Sequence, residues 1–79
     1  MNEWKEENNW LVREFKFKNY LQTIEFINKI TDIAQLQDHH PNINFTYGYC
    51  KISLQTHDDK AITNKDYKLA KAIDQLCQA

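Results

Sequence analysis

The spacing of apolar residues along this 79-residue chain switches three times between a period of two and a period near 3.6. Apolar side chains alternate over residues 10–17 and 43–54, and they recur at three- and four-residue steps over residues 20–37 and 63–76. Alternation predicts half-buried strands, and the longer period predicts amphipathic helices. The sequence therefore predicts two strand regions that alternate with two helices.

Each strand region is expected to fold into a hairpin. Residues 4–7 are interpreted as a short strand that pairs with residues 10–17, because Asn8 and Asn9 tolerate the positive φ of a tight turn. In the second region the apolar residues occupy odd positions as far as Tyr47 and even positions from Cys50. This change of parity at Gly48 predicts two strands joined by a turn. The expected order is β-β-α-β-β-α.

Capping residues set the expected helix ends. The first helix should begin after Asn19 and end near Asp38, because Pro41 disfavours helical angles in the residue before it. The second should begin at Thr63, since Asp66 three positions later completes a capping-box-like pattern. The expected core stripe of the first helix is Tyr20, Ile24, Ile27, Ile30 and Ala34, widened by Phe26 and Ile33.

These elements predict an α+β fold in which a four-stranded antiparallel sheet carries both long helices on one face. The other face is expected to be polar, with Ser53, Gln55 and Thr56 on it. Seventy-nine residues suit a single domain, 1–79, with a small core that association with further copies would help to stabilise.

Composition excludes several classes of function. Ten basic and eleven acidic residues give a net charge of −1, and the lysines are scattered, so no direct contact with nucleic acid is expected. No apolar run approaches the ~18 residues of a membrane span, and no signal peptide is apparent, so we expect a cytoplasmic protein with no membrane contact. Cys50 and Cys77 are interpreted as reduced thiols, with Cys50 in the core.

The three histidines occur within nineteen residues. If the second hairpin forms, the chain returns to its starting edge, and His57 lies beside His39 and His40. The second helix starts at the same edge, which brings Asp66 close. A cluster of imidazoles with a carboxylate suits proton transfer near neutral pH, because histidine titrates in that range.

Simpler interpretations remain open at this point. His39 and His40 could belong to a solvated turn, and Asp66 could act only as an acid at a helix N-terminus. Three histidines could also hold an open catalytic zinc. Against zinc, neighbouring side chains diverge, and the sequence has no HxH or HxxxH pair. Asp58 and Asp59 are expected only to solvate a loop.

The histidines belong to a pattern that resembles the motif of the pterin-4a-carbinolamine dehydratase family. His57 follows His39 by eighteen residues and precedes Asp66 by nine, as in that family. The resemblance extends from about residue 4 to residue 76. It implies an α/β plait that is usually a homodimer or homotetramer. The residues that carry it are Asp38, His39, His40, Pro41, Tyr47, Thr56, His57, Asp58 and Asp66.

The resemblance implies a lyase that dehydrates 4a-hydroxytetrahydropterin, the 4a-carbinolamine, to quinonoid dihydropterin. This reaction recycles the pterin cofactor of aromatic amino acid hydroxylases. The enzyme itself would need no cofactor and no metal, because the pterin is the substrate. By residue match, His39 and His57 would be the acid and base, in an order left open. The implied substrate-binding or positioning residues are His40, Pro41, Thr56 and Asp66.

Two positions and one loop depart from the family's pattern. Gln35 stands where many members have an acid, Ile43 stands where a Trp is frequent, and residues 59–62 replace a Gly-containing loop. If the acid tunes a pKa or binds the pterin, activity is expected to be lower here. The family also includes a dimerisation partner of a transcription factor. The alternative function is therefore a non-catalytic interaction or transcription-cofactor protein with the same fold.

Overall fold

The computed structural model describes residues 3–77, which contain four strands and two helices. The predicted order and fold class are confirmed, and the helix and strand bounds lie close to those expected from the sequence. In chain order the elements are β1 (Lys5–Glu7), β2 (Trp10–Lys16), α1 (Tyr20–Gln37), β3 (Asn42–Thr46), β4 (Tyr49–Leu54) and α2 (Asn64–Leu76).

The four strands form one antiparallel sheet with the spatial order β1-β2-β4-β3. Asn8 and Asn9 join β1 to β2 with φ of 50° and 69°, the pair of positive angles that suits a two-residue hairpin loop. Gly48 lies in the turn between β3 and β4 with φ of 70°. A Cβ atom on Gly48 would lie 2.7 Å from the carbonyl oxygen of Phe17, so this turn requires glycine.

Both helices pack on the same face of the sheet. Inward side chains of the two central strands, β2 and β4, contact the buried faces of α1 and α2. The outward positions of the sheet are mostly polar, as expected. The core cluster consists of Leu11, Phe15, Phe26, Ile30, Cys50, Ile52, Leu54, Leu69, Ala70 and Ile73.

The buried stripe of α1 differs from the prediction. Thr23, Phe26, Ile30 and Ala34 are buried, whereas Tyr20 is about half exposed. Apolar residues occupy much of the circumference of this helix, so their spacing alone does not determine which of them face the sheet. Thr23 can be buried because its hydroxyl donates to the carbonyl oxygen of Asn19 at 2.9 Å.

Two assignments in the second strand region were also wrong. Tyr47 lies in the turn and is 67% exposed, so it does not continue the inward alternation of β3. Thr56 is 6% exposed and does not belong to the polar outer face. It follows Leu54 by two residues and so points to the same side, where its hydroxyl bonds to the buried Asp66 and the half-buried Thr63 at the start of α2. The place of Thr56 in the alternation of the strand therefore determines its burial, although its side chain is polar.

Arg13 occupies an inward position of β2. Its guanidinium pairs with the carboxylate of Asp74 on α2 and lies 4.6 Å from the ring centre of Phe15. Trp4 Nε1 donates to the same carboxylate at 2.7 Å. A charged residue is accommodated here because the second helix supplies its counter-charge.

The capping predictions are confirmed. Asn19 accepts from the backbone N–H of Gln22 at 2.9 Å, and Thr63 and Asp66 form a capping box at the start of α2. Within residues 3–77, neither helix is long and apolar enough to cross a membrane.

Candidate active site

All three histidines line one cleft of about 450 Å³. His39 and His40 follow α1, and His57 follows β4. The hairpin brings them together because Asn42 at the start of β3 pairs with Ser53 near the end of β4. A cleft of this size suits a small ligand. The lining residues are Asp38, His39, His40, Gln55, Thr56, His57, Asp58 and Lys65.

The turn after α1 delivers the first two histidines. Asp38 adopts the left-handed conformation, with φ of 52° and ψ of 44°, and so ends the helix. The backbone N–H of His39 then donates to the carbonyl oxygen of Ala34 at 3.1 Å. This bond anchors the His39 backbone to the last turn of α1.

Asp66 lies fully buried beneath the cleft and holds His39. Its Oδ1 lies 2.5 Å from Nε2 of His39, whose side chain is only 11% exposed. Its Oδ2 accepts from the Thr56 hydroxyl at 2.9 Å and from the backbone N–H of Thr63 at 2.8 Å. Thr56 also shares a short hydrogen bond with the Thr63 hydroxyl. One carboxylate therefore caps α2 and orients an imidazole.

This contact bears on the tautomer of His39. An ionised carboxylate only accepts hydrogen bonds, so it pairs with the His39 tautomer that carries its hydrogen on Nε2. The ring nitrogen left to exchange a proton is Nδ1. A solvated turn does not describe this residue, because both its ring and its backbone are held.

His40 has a different partner. Its Nε2 lies 2.6 Å from Oε1 of Gln35, on the last turn of α1, and both side chains are exposed. Two adjacent histidines thus diverge, one towards the start of α2 and the other back towards α1. Gln35 is thus in direct contact with a residue of the cleft.

The remaining predicted site residues are placed as follows. His57 is exposed, and its ring makes no hydrogen bond to another residue within 3–77. Pro41 is half-buried and does not line the cleft. Asp58 lines the cleft as well as solvating its loop.

Sequence reasoning missed Gln55 and Lys65, which also line the cleft. Lys65 precedes Asp66 directly, so its position in the first turn of α2 could have indicated it. Gln55 follows β4 next to Thr56, but nothing in the apolar alternation distinguishes it from other polar strand ends.

Cys50 does not belong to the site. It is fully buried in the core, as predicted, and burial raises the pKa of its thiol to about 11. Within residues 3–77, no set of three or more His, Cys, Asp and Glu side chains converges as metal ligands would. The zinc alternative therefore finds no ligand set in the described chain.

Known proteins resemble this chain in sequence and in fold. The family model described as Pterin 4 alpha carbinolamine dehydratase matches residues 1–76. A protein of Picosynechococcus is 43% identical over 94% of this chain and 80% of its own length, and one of Sulfolobus acidocaldarius is 42% identical over 92% and 80%. Both are provisionally named pterin-4-alpha-carbinolamine dehydratases.

A solved structure from Brucella melitensis, described as a transcriptional coactivator/pterin dehydratase, superposes with a TM-score of 0.90. It is 26% identical, and the match covers 95% of this chain and 82% of that one. Sequence and fold thus agree over nearly the whole length. The chain belongs to the pterin-4a-carbinolamine dehydratase family.

Proposed function

We propose that this protein is a lyase that dehydrates 4a-hydroxytetrahydropterin to quinonoid dihydropterin. The observation that carries the proposal is the cleft that three imidazoles line, one of them held by a buried carboxylate. Membership of the family supplies the class of substrate. Imidazoles are the side chains best suited to give and take protons at neutral pH.

The reaction needs two proton transfers. An acid protonates the 4a-hydroxyl, the C4a–O bond breaks, and water leaves. A base removes the proton from the adjacent ring nitrogen N5, and the electron pair of that N–H bond becomes the C4a=N5 double bond. One proton is donated and one is taken, so the enzyme needs no metal or cofactor to complete the step.

His39 and His57 are the proposed acid and base, and their order stays open. His39 would use Nδ1, because an ionised Asp66 would keep the hydrogen on Nε2 whether the imidazole is neutral or charged. His57 is exposed on the loop after β4, so it can reach a ligand in the cleft from the strand next to the one that follows His39 and His40. His40, Thr56 and the Pro41 turn would position the ring.

Initial rates on the carbinolamine, followed by the absorbance of the product, test the proposal. His39→Ala and His57→Ala should each lose ~10²–10⁴-fold in kcat, the range for a general acid or base. Asp59→Ala is the matched control, because it changes an exposed residue of the same loop that does not line the cleft. Turnover that survives both histidine changes refutes the assignment.

Binding of another protein is the second candidate function. Leu21 and Leu36 on α1 are 65% and 87% exposed, and burying them against a partner would remove their apolar surface from water. The solved relative from Brucella melitensis carries a coactivator description beside the dehydratase one. Co-purification at fixed stoichiometry without carbinolamine turnover supports this function over the first.

We also propose that copies of the chain associate as a homodimer or homotetramer in the cytoplasm. The small core and the exposed apolar residues of α1 support self-association, because burying them would add apolar contact area.

A further inference from the structure

Gln35 and His40 form a contact that the proposed reaction does not yet use. Gln35 Oε1 lies 2.6 Å from His40 Nε2, and the left-handed turn at Asp38 brings the two side chains together. His39, one residue earlier, has a carboxylate as its partner, whereas His40 has an uncharged amide. The two neighbouring imidazoles therefore sit in different chemical environments at the same cleft.

An amide oxygen differs from a carboxylate in one decisive respect. Either oxygen accepts a hydrogen bond from Nε2–H, but only the carboxylate adds a negative charge that favours the imidazolium form. With Gln35 as partner, His40 can stay neutral and still keep its hydrogen on Nε2. Its Nδ1 is then a free acceptor.

The pterin ring presents N–H donors on its amino and amide groups, and a neutral imidazole nitrogen is a suitable acceptor for them. We infer that Gln35 is a positioning residue, which holds His40 in the Nε2–H tautomer so that Nδ1 accepts a hydrogen bond from the N–H edge of the pterin. This inference rests on the proposed function for the identity of the ligand.

Other charged groups at the cleft could influence the protonation of His40. The acidic groups are Asp38 and Asp58, with Asp66 buried below, and the basic groups are Lys65, His39 and His57. None of them is hydrogen-bonded to the His40 ring, whose bonded partner within residues 3–77 is Gln35. A change of charge at position 35 should therefore affect the protonation of His40 more strongly than the same change at a residue that does not contact its ring.

Nitrogen NMR of the histidine rings, with signals assigned from single His→Gln variants, reads the tautomer directly. In the unaltered protein, neutral His40 should show the Nε2–H form. Gln35→Glu should move the midpoint of the His40 titration to higher pH by about one unit, a modest shift because the pair is exposed. Gln35→Leu should leave a mixture of tautomers. Gln37→Glu is the control: it adds the same charge two residues away and should leave the midpoint in place.

Binding of 7,8-dihydropterin, which lacks the leaving hydroxyl, gives the second readout. At pH 7 the Gln35→Glu variant should bind several-fold more weakly than the unaltered protein, and it should recover at pH 9, where His40 is again neutral. The Gln35→Leu variant should bind the dihydropterin more weakly than the unaltered protein at both pH values.

An Nδ1–H tautomer in the unaltered protein, or an unchanged midpoint in Gln35→Glu, overturns the inference. The NMR arm needs no turnover. If the tautomer and midpoint behave as expected while the carbinolamine is not dehydrated and the dihydropterin does not bind, the proposed function and the pterin contact fail but the action of Gln35 on His40 stands.

Discussion

Replacing Asp66 with Asn separates its two roles, because the amide has the same shape but only one accepting atom. Thr56 and Thr63 both bond to Oδ2, so the remaining oxygen can keep both of them. The NH₂ group then faces Nε2 of His39, where two donors would meet. The conflict is relieved when the His39 hydrogen moves to Nδ1, the atom proposed to exchange a proton with the substrate.

The expected magnitudes follow from these contacts. Replacing one buried charge-assisted hydrogen bond by a neutral one should cost about 1–1.5 kcal/mol of unfolding free energy, which urea titration measures. The wrong tautomer should lower kcat by ~10²–10⁴-fold, the range for a misplaced general acid or base. Nitrogen NMR should show His39 as the Nδ1–H form.

Thr63→Ala is the matched control for Asp66→Asn. It removes the hydroxyl of the N-cap and should cost about 1 kcal/mol of unfolding free energy, without touching His39. Its kcat should stay within a few-fold of the unaltered protein. If Asp66→Asn loses stability, yet keeps its kcat and the Nε2–H tautomer, then Asp66 serves only as a helix cap and the reasoning is refuted.

Two further predictions concern the fold. Burial raises the pKa of Cys50 from 9.0 to about 11, so the folded state keeps a proton that the unfolded chain loses. The contribution of the Cys50 thiol to stability should be complete below pH 9 and fall by up to about 3 kcal/mol as the pH rises through 11. Urea unfolding at pH 8 and 10.5 should show a larger loss of unfolding free energy for the unaltered protein than for Cys50→Ala. Equal losses in the two proteins would contradict this. Gly48→Ala should cost about 2 kcal/mol or more in the same assay, because it combines a positive φ with a Cβ atom 2.7 Å from a carbonyl oxygen. Asn9→Ala, at φ of 69°, should cost less, because position 9 already accommodates a Cβ atom and only the backbone strain increases. An equal loss would refute the steric argument.

Sequence reasoning predicted the elements and their order well, because local signals determine them. The parity change at Gly48 located a turn that backbone geometry requires there. Asn19 and Thr63 located both helix starts, because each cap satisfies N–H groups within its own first turn. Such features depend on residues a few positions apart, and the sequence displays them directly.

The misplaced residues are polar side chains whose burial depends on a specific hydrogen bond. Thr56 was assigned to the outer face because it is polar, but its hydroxyl bonds to Asp66, ten positions away, and is buried with it. Thr23 was missed from the stripe of α1, although its bond to Asn19 makes burial inexpensive. Polarity alone could not distinguish a buried, satisfied hydroxyl from a solvated one.

The position of the histidines shows how one short turn can supply two kinds of imidazole. Because Asp38 reverses the chain in the left-handed conformation, consecutive side chains leave α1 in different directions. His39 reaches a buried carboxylate that also caps α2, so its orientation is tied to the stability of the fold. His40 reaches an exposed amide on α1, and that contact can change at little cost to stability. The same turn thus pairs one imidazole with a buried carboxylate and the other with an exposed amide, whose charge a substitution at position 35 would change.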